Sequence, residues 1–503
     1  MIEIMDTTLR DGEQTSGVSF AAHEKLSIAQ ALLDLGVNRL EIASARVSDG
    51  EFEAVKRVAS WAERTGNIQK LEVLGFVDGD VSLNWIEAAG CRVVNLLCKG
   101  SYKHVTEQLR KTPEQHVDDI RTVVLEAAKR KIDVNIYLED WSNGIKHSPD
   151  YVFLVIDALK GLPICRFMLP DTLGVLNPGN TYEYCKMMVD RYPDLRFDFH
   201  AHNDYDLAVA NVYSAIRAGI KGIHTTVNGL GERAGNAPLS SVLAVIKDQL
   251  GEETSLREEK INKASRLVET YSGVHIPPNK PIIGEHVFTQ CAGVHADGDS
   301  KNNLYCNDLL PERFGRVREY ALGKTSGKAN IRKNLEALGI DMDEGSMRKV
   351  TERIIELGDK KEMVTPEDLP YIISDVLHHD NALEDQKIRI LNYSLSLAQG
   401  LKPVATLKIE INGEAYEESA SGDGQYDAFV RALRRIYSRL NRPFPMLTNY
   451  SVSIPPGGRT DAFVQTVISW NYAGVDFKTR GLDADQTEAA IKATLKMLNK
   501  IED

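Results

Sequence analysis

Apolar runs of strand length alternate with amphipathic stretches of helical length through the first half of the chain. Eight such runs, rich in β-branched and aromatic residues, are Ile2–Thr8, Arg39–Ala43, Leu71–Val77, Val93–Leu97, Val134–Leu138, Arg166–Leu169, Leu195–His202 and Ile223–Val227. The stretches between them repeat apolar residues at helical spacing, as in Glu24–Leu35 and Leu207–Gly219. Eight β-α alternations predict an α/β fold, a closed (β/α)8 TIM barrel. An open doubly wound sheet is the second choice, but no Gly-x-Gly-x-x-Gly follows the first run.

A segment of different composition follows at residues 271–386. It contains a Gly- and His-bearing stretch, Ala292–Gly298, which we expect to be a loop. Apolar positions at helical spacing then return three times, at Ala329–Leu338, Ser346–Leu357 and Pro366–Leu377. The pattern predicts a small helical subdomain that follows a barrel domain at residues 1–270.

The last segment, residues 387–503, contains one order of elements twice. The first copy is predicted as strands Ile388–Leu397 and Val404–Ile411, a hairpin turn at Asn412-Gly413 and a helix at Ala428–Leu440. The second copy is predicted as strands Tyr450–Ile454 and Ala462–Trp470, a turn at Gly481–Asp485 and a helix at Glu488–Leu498. The repetition indicates a duplicated α+β domain. Because this segment contains neither histidine nor cysteine, we assign it no catalysis and expect a ligand-sensing or dimerising role.

Composition and charge exclude several classes of protein. The 503 residues are 43% hydrophobic and 26% charged, as in ordinary globular proteins. A formal net charge of −12 argues against a nucleic-acid binder, which needs clustered Lys and Arg. The six cysteines form no Cys-x-x-Cys pair, and the sequence has neither an apolar leader nor a run of membrane-spanning length. We therefore expect a cytoplasmic protein with free thiols and no nucleic-acid or membrane partner.

Two histidines stand at a spacing of two in the seventh run. In a strand, Arg196, Asp198, His200 and His202 share one face, while the apolar residues between them take the other. Two imidazoles on a rigid strand form a metal-ligand pair, which requires a third, oxygen ligand to hold a divalent ion. Asp11, just after the first run, is the candidate for that ligand.

The barrel prediction gathers polar residues from five strands at one rim. Those at the carboxyl ends of predicted strands are Arg10 and Asp11, Glu139 and Asp140, Asp171–Gly174, His200 and His202, and Asn228–Asn236. Chemistry in such barrels takes place at this end. The convergence therefore favours a divalent metal site over the alternative, in which the two histidines are ordinary polar residues at a strand end.

Four motifs resemble the acetyl-CoA-dependent 2-oxoacid condensing enzymes, the family of 2-isopropylmalate, citramalate and homocitrate synthases. These motifs are Asp6–Gln14, His200–Asn203, Asn228–Asn236 and Gly293–Gly298. Three further segments are most similar to the (R)-citramalate synthases, namely Leu74–Asp78, Asn95–Gly100 and Tyr137–Asn143. The resemblance covers the whole chain. It implies an acyltransferase with acetyl-CoA as co-substrate, and it implies that residues 387–503 are an allosteric domain for an end-product amino acid.

The resemblance also implies how the metal and the 2-oxoacid are held. Asp11, His200 and His202 would bind the divalent ion, with Asn236 placed farther away. Zn, Mn and Mg all tolerate such ligands, so the metal stays open. The 2-oxoacid would chelate this ion through its keto oxygen and its carboxylate. Arg10 would stabilise the oxyanion that develops, because its guanidinium stays protonated.

Five further residues take roles from the same resemblance. Thr172 would donate its hydroxyl to the substrate carboxylate, and Gln14 would also bind the substrate. Glu139 would orient acetyl-CoA or the base. His295 together with Tyr305 would supply the base that deprotonates the acetyl-CoA methyl group. The alternative for His295 is a loop histidine that only packs against the barrel, and we assign no residue to CoA binding.

The substrate side-chain pocket matches that of the citramalate synthases at Leu74, Leu97 and Tyr137. These three bulky groups favour pyruvate, because overfilling a packed site with an isopropyl group is unfavourable. The discrimination between the two substrates is weak, since one methylene changes the binding free energy in an apolar pocket by only ~1–3 kcal/mol. The alternative is therefore a 2-isopropylmalate synthase that uses 2-oxoisovalerate. A homocitrate synthase fits less well, because these positions offer no basic residue for a second carboxylate.

Other functions and the regulation are open at this point. A metal-dependent hydroxyacyl-CoA lyase would share the Asp-His-His site, although a duplicated C-terminal domain suits a feedback-controlled biosynthetic step better. A catalytically silent amino-acid sensor is a third possibility. The intact site residues argue against it, namely Arg10, Asp11, His200, His202 and His295. The resemblance implies a homodimer, and His295 could serve its own or the partner's barrel. Isoleucine would be the effector of a citramalate synthase, and leucine that of a 2-isopropylmalate synthase.

Overall fold

A computed structural model describes residues 1–299, 301, 304–359, 364–377, 387–453 and 464–502. The chain divides into two compact units. Unit 1 comprises residues 1–288 and 306–318, and unit 2 comprises residues 289–305 and 319–503. Neither unit begins or ends at residue 270 or 386, and the domain boundaries predicted there remain predictions.

Unit 1 is built around the predicted closed barrel. Its eight parallel strands are β1 (Glu3–Asp6), β2 (Arg39–Ser44), β3 (Leu71–Phe76), β4 (Val93–Lys99), β5 (Asp133–Glu139), β6 (Arg166–Asp171), β7 (Phe197–Ala201) and β8 (Gly222–Thr225). They neighbour one another in chain order, and β8 closes the barrel against β1. Each coincides with one of the eight predicted runs. The TIM barrel is therefore confirmed, and the open sheet is excluded.

Helices connect the strands and cover the barrel. They are α1 (Ala22–Leu35), α2 (Asp49–Arg64), α3 (Val81–Ala88), α4 (Pro113–Lys129), α5 (Trp141–His147), α6 (Pro149–Leu159), α7 (Pro178–Arg191), α8 (Ala208–Arg217), α9 (Leu239–Ala244) and α10 (Ile261–Ser272). Local sequence sets their ends. Thr112 caps α4 by accepting a hydrogen bond from the Gln115 N–H, with Pro113 in the first turn. Gly36 ends α1 in a left-handed conformation, where a Cβ would lie 2.2 Å from the Ser255 carbonyl oxygen.

The first part of unit 2 contains the predicted helices and one that was not predicted. The strands are β9 (Thr289–Gln290) and β10 (Glu319–Tyr320), and the helices are α11 (Gly293–Asp299), α12 (Lys328–Ala337), α13 (Glu344–Asp359) and α14 (Leu369–Leu377). The loop expected at Ala292–Gly298 is wrong, because α11 occupies it. Its glycines serve close packing: a Cβ on Gly293 would lie 2.8 Å from the Gly327 Cα, and one on Gly298 would lie 2.4 Å from the Tyr305 ring.

The C-terminal part of unit 2 is duplicated, as predicted. Its elements are β11 (Ile388–Ser396), β12 (Val404–Ile411), β13 (Glu414–Ser421), α15 (Gln425–Arg439), β14 (Met446–Ser453), β15 (Val464–Tyr472), β16 (Val475–Asp483) and α16 (Gln486–Ile501). Each copy is a three-stranded antiparallel sheet followed by a helix, and both copies share one core. The predicted end of one strand at Ile454 and the start of another at Ala462 lie outside the described residues.

The second copy contains a hairpin turn that was not predicted. In the first copy Asn412 and Gly413 both have positive φ, as a two-residue hairpin requires. The equivalent pair in the second copy is Ala473-Gly474, with φ of 51° and 85°. Alanine is a weak turn signal, which explains why this hairpin was missed. The third strand of each copy, β13 and β16, was not predicted, and the turn predicted before the last helix at Gly481–Asp485 is wrong in its first half, because β16 continues to Asp483.

Two observations bear on the expected surroundings of the protein. Of the helices in the described part of the chain, none combines the length and apolar composition needed to cross a bilayer. Cys91, Cys98 and Cys185 are buried free thiols, whereas Cys165 and Cys291 are exposed free thiols. Burial raises the pKa of the Cys91 thiol to about 12, so this thiol stays protonated at neutral pH.

Within unit 2, a buried carboxylate joins the helical part to the C-terminal part. Asp368, at the end of a short 3-10 helix, accepts hydrogen bonds from the Thr365 N–H and hydroxyl at 3.0 and 2.9 Å. It also pairs with Arg480 on β16 at 3.0 Å and with Lys496 on α16. Burial alone would raise the pKa of Asp368, but the charges of Lys496 and Arg480 hold it below its usual value.

We expect Asp368→Asn to lower the free energy of local unfolding at this junction by about 2–3 kcal/mol, because the variant removes one partner of a largely buried ion triad. A depressed folded-state pKa contributes stability above the unfolded pKa that is lost as pH falls through the folded value. The difference between wild type and variant should therefore shrink on acidification below pH 4. Hydrogen exchange of β16 and α16 measures the effect. Asp423→Asn, which removes an exposed carboxylate paired with Lys402 and Arg431, should leave that exchange unchanged.

Candidate active site

The turn after β1 places two charged residues at the mouth of the barrel. The carbonyl oxygen of Thr7 accepts hydrogen bonds from the N–H groups of Arg10, Asp11 and Gly12 at 3.1, 2.8 and 3.0 Å. The Thr7 hydroxyl accepts a further bond from the Asp11 N–H. This tight turn buries the Asp11 carboxylate and points the following Gly12 against Leu230 of the loop after β8.

The two histidines of β7 meet this carboxylate. Asp11 Oδ2 lies 3.3 Å from His200 Nε2 and 3.7 Å from His202 Nε2. The candidate ligand atoms of all three residues lie within 4.8 Å of one another, and all three side chains are buried. Ligand atoms that bind the same ion at about 2.0–2.2 Å stand roughly 3 Å apart. The three side chains therefore need to move little to bind one ion together. Arg196 is not part of this face, because it lies exposed before the strand begins.

The charge states of the three residues suit a metal. Burial alone would raise the pKa of Asp11, but the charge of Arg10 and the hydrogen bond of His200 hold it well below its usual range. Burial lowers the pKa of His200, and burial together with the charge of His200 lowers the pKa of His202 to about 4. At neutral pH the site is thus one carboxylate and two neutral imidazoles, the protonation states that metal binding requires.

Unsatisfied polar atoms give a second test of this fit. Among the described residues, Asp11 Oδ1, the Nδ1 atoms of His200 and His202, and Asn236 Oδ1 are buried without a hydrogen-bond partner. Asn236 is held beside His202 by a backbone bridge, and its amide nitrogen donates to the Leu230 carbonyl at 3.1 Å. Buried polar atoms without partners are unfavourable, and a bound ion with its water ligands would satisfy several of them. The residues present therefore fit a divalent metal.

Glu41 on β2 fixes the guanidinium of Arg10. Its carboxylate accepts from Arg10 Nε at 2.6 Å, from the Thr7 hydroxyl at 2.6 Å and from the Asn95 amide at 2.8 Å. Burial would lower the pKa of Arg10, but the charges of Glu41 and Asp11 raise it, so the guanidinium stays charged. We had not selected Glu41 from the sequence. The available signal was a carboxylate within the apolar run Arg39–Ala43.

A small apolar cluster lies beside His200 inside the barrel. It consists of Met5, Leu74, Tyr137 and Met168, with the partly buried Leu97 packed against them. The Tyr137 ring lies 5.7 Å from the ring of His200 and 5.8 Å from the guanidinium carbon of Arg10. The three residues predicted to line the substrate pocket are therefore in one cluster.

The remaining predicted rim residues lie at the ends of β5 and β6 and after β1. Glu139 pairs with the ammonium of Lys99, at the end of β4. Thr172 Oγ1 accepts a hydrogen bond from the Asp140 N–H at 2.9 Å, which leaves the hydroxyl proton available for a carboxylate. Gln14 lies in the 3-10 helix Gly12–Gln14 and is exposed. Lys99 was not selected from the sequence.

His295 and Tyr305 belong to unit 2. His295 lies on α11, its side chain is exposed, and its ring centroid is 4.4 Å from that of Tyr305. Tyr305 is half exposed. The two residues therefore form one aromatic pair, with an imidazole available to a ligand.

A second charged cluster fills the barrel interior below Asp11, His200 and His202. Asp198 on β7 pairs with Arg39 and lies 3.2 Å from His224 Nε2. Arg39 also pairs with Glu72 at 2.9 Å. A Cβ on Gly222 would lie 1.9 Å from Asp198 Oδ1, so a larger residue there would displace the Asp198 carboxylate from its partners. We interpret this cluster as structural, because every charge in it has a buried partner.

Three segments of the chain each match a known protein family. Residues 1–268 match the HMGL-like family, residues 282–362 match the homocitrate synthase post-HMGL domain-like family, and residues 363–502 match the LeuA allosteric (dimerisation) domain. Because the first match covers more than half of the 503 residues, the chain belongs to the HMGL-like family.

Relatives that match over nearly their whole length have one of two activities. The chain is 32% identical to the (R)-citramalate synthase of Methanocaldococcus jannaschii, over 100% of this chain and 99% of that protein. It is 31% identical to the 2-isopropylmalate synthase of the same organism, over 99% of this chain and 94% of that protein. It is 33% identical to the 2-isopropylmalate synthase of Pyrococcus furiosus, over 99% of both chains.

The protein is therefore an enzyme of the citramalate and 2-isopropylmalate synthase type, which carries out an acyl-CoA condensation and carries an allosteric dimerisation domain. The two activities match the chain equally well: the M. jannaschii enzymes differ by one percentage point in identity. The substrate has to be argued from the site.

Proposed function

We propose that this enzyme condenses acetyl-CoA with pyruvate and water to give (R)-citramalate and CoA, a step of isoleucine biosynthesis. The cluster of Leu74, Leu97 and Tyr137 carries the proposal. It lies against His200 and Arg10, so the substituent of a 2-oxoacid held at those groups would meet three bulky side chains. A methyl group fits such a space with less strain than an isopropyl group.

Each group at the rim has one task in this proposal. A divalent ion held by Asp11, His200 and His202, with Asn236 near it, would act as a Lewis acid on the keto oxygen. Arg10, fixed by Glu41, presents a permanent positive charge where negative charge develops.

Three side chains would bind and orient the substrates. Thr172 donates its hydroxyl proton to the pyruvate carboxylate, and Gln14 contacts the same substrate. Glu139 orients acetyl-CoA or the base. The Thr172 proton is available because the oxygen already accepts from the Asp140 N–H.

Proton removal from the acetyl-CoA methyl group is assigned to His295, with Tyr305 beside it. Imidazole is the side chain most often used for proton transfer near neutral pH. The exposed ring, held by its 4.4 Å contact with the phenol ring, supports this role. The carbanion then forms a bond to the keto carbon, whose oxygen takes up a proton to become the hydroxyl group. Water adds to the thioester carbonyl and the C–S bond breaks, which releases CoA as the thiol and leaves the new carboxyl group of citramalate.

The C-terminal domain would bind the end-product amino acid and hold two chains together. Its match to an allosteric dimerisation domain supports a homodimer under feedback control. If pyruvate is the substrate, isoleucine is the expected effector; if 2-oxoisovalerate is the substrate, leucine is.

The test follows CoA release with pyruvate, 2-oxobutyrate and 2-oxoisovalerate, each with added Zn, Mn or Mg. We expect the highest kcat/KM for pyruvate. A higher value for 2-oxoisovalerate would make the protein a 2-isopropylmalate synthase. Failure of all three, together with cleavage of a hydroxyacyl-CoA, would indicate a lyase.

Leu97→Ala should shift the preference toward the branched substrate. Removing three carbons from the pocket wall opens space for an isopropyl group, and such contacts are worth roughly 10–100-fold. We expect the ratio of kcat/KM for 2-oxoisovalerate over pyruvate to rise by about that factor. Leu125→Ala is the matched control, because Leu125 is an exposed leucine on α4. An unchanged ratio in Leu97→Ala would contradict the assignment of the pocket.

A further inference from the structure

Lys99 is an unusual lysine, because its side chain is turned into the barrel mouth instead of into solvent. It is only 8% exposed. Lysine ordinarily keeps its ammonium in water, and a buried one needs a partner. In β4 the side chains of Leu97 and Lys99 share one face. Lys99 therefore projects from the same face as the pocket wall, one step closer to the rim.

The partner of Lys99 is Glu139, its register neighbour on β5. The two residues stand opposite each other in the parallel ladder, two pairs after Leu97 and Tyr137 and therefore on the same face of the sheet. The ammonium donates a hydrogen bond to Glu139 Oε2. A lysine and a carboxylate thus face each other directly above the residues proposed to select the 2-oxoacid.

The backbone around Lys99 is held from three sides. Its N–H donates to His116 Nε2 at 3.0 Å, and its carbonyl oxygen accepts from the Tyr151 hydroxyl at 2.8 Å. Burial lowers the pKa of His116 to about 4, so the imidazole is neutral and can accept this bond. The next residue, Gly100, donates its N–H to the Glu139 carbonyl at 2.6 Å.

The absence of a side chain at Gly100 lets β4 and β5 approach closely at this point. A Cβ on Gly100 would lie 2.4 Å from the Leu138 carbonyl oxygen, so no other residue fits without moving one strand. The Lys99–Glu139 pair therefore stands on two closely packed strand ends that are joined by the Gly100 hydrogen bond. Such rigid support is found under side chains whose position matters for chemistry.

We propose that Lys99 is a positioning residue, which compensates the charge of Glu139 and fixes its carboxylate at the mouth of the site. The inference rests on the proposed function, in which Glu139 orients acetyl-CoA or the base. A purely structural ion pair is the competing explanation. The two explanations differ in what happens when both partners are removed.

The experiment compares Lys99→Met, Lys99→Arg, Glu139→Gln and the Lys99→Met/Glu139→Gln double variant in the full-length, metal-loaded enzyme. CoA release is measured with whichever 2-oxoacid the wild type uses fastest, so an error about pyruvate does not affect the outcome. We expect Lys99→Met to lower kcat by about 100-fold, the lower end of the range for misplaced acid-base groups. The KM for the 2-oxoacid should change less than about twofold, since Lys99 is not assigned to binding it.

Two measurements distinguish a positioning role of Lys99 from a purely structural ion pair. Lys99→Arg should recover most of kcat, because it retains the charge. The double variant should be no slower than Glu139→Gln, since removing Lys99 has no further effect once Glu139 is gone. Lys129→Met, which breaks an exposed pair on α4, should behave like the wild type.

Several results would overturn the proposal. They are an unchanged kcat in Lys99→Met, fully additive losses in the double variant, or an equal loss in Lys99→Arg. If Lys99→Met does not fold by circular dichroism, Lys99→Gln takes its place, and failure of both to fold means that the role is structural. A wild type that releases CoA only with 2-oxoisovalerate contradicts the proposed substrate but leaves this test intact.

Discussion

Asp11→Asn should lose metal and lower the rate of CoA release by about 10³-fold. The variant keeps the shape of the side chain but removes the one carboxylate among the three candidate ligands. An amide oxygen is a much weaker ligand than a carboxylate, and two neutral imidazoles alone hold a divalent ion poorly. Losing the electrostatic stabilisation that such an ion supplies, several kcal/mol, corresponds to about three powers of ten in rate.

Elemental analysis gives a readout of this variant that does not depend on activity. The wild type should retain about one equivalent of Zn or Mn per chain after desalting, and Asp11→Asn should retain little. Arg10 stays paired with Glu41, so the variant should still fold. Asp190→Asn removes an exposed carboxylate on α7 that pairs with Lys186, and it serves as the control. A variant that keeps both its metal and its rate would show that Asp11 is not a ligand.

The barrel and the convergence of Asp11, His200 and His202 could be predicted because both follow from local patterns. Strand runs separated by helical runs specify an alternating fold, and residues two apart in a strand share a face. His200 and His202 were found in this way. Asp11 followed from the rule that the ends of parallel strands meet at one rim.

The missed residues depend on pairing between strands, which a single sequence does not reveal. Glu41 and Arg10 are 31 residues apart, and Lys99 and Glu139 are 40 residues apart. Each pair becomes visible only once the register of neighbouring strands is known. A charged residue on the inward face of a barrel strand was the one available signal.

The helix α11 was missed for another reason. Glycine disfavours helices by about 1 kcal/mol relative to alanine, so the segment Ala292–Gly298 looks like a loop. Tertiary contacts override this preference, because Gly293 lies against the backbone of Gly327 and Gly298 accommodates the ring of Tyr305. The glycines are there to let other groups approach closely.

His295→Gln should lower kcat by about 10²–10³-fold, with KM for the 2-oxoacid and metal content unchanged. Glutamine has a similar size but cannot accept the methyl proton, and a positioned base is worth about 10²–10⁴. Deuterated acetyl-CoA tests the step itself: if proton removal becomes slower, the isotope effect on CoA release should grow in the variant. His275→Gln, at a histidine that is 88% exposed, is the control. A kcat within about threefold of wild type would contradict this role.

The same variant can show which barrel His295 serves. A mixed dimer of Asp11→Asn and His295→Gln chains contains one intact metal site and one intact His295, on different chains. If the base acts on its own chain's barrel, no complete site exists and the mixture stays inactive. If it acts on the partner's barrel, one of the two sites is complete, and co-expression should recover activity that neither variant has alone. Recovery of that activity also requires the dimer that the C-terminal domain is proposed to form.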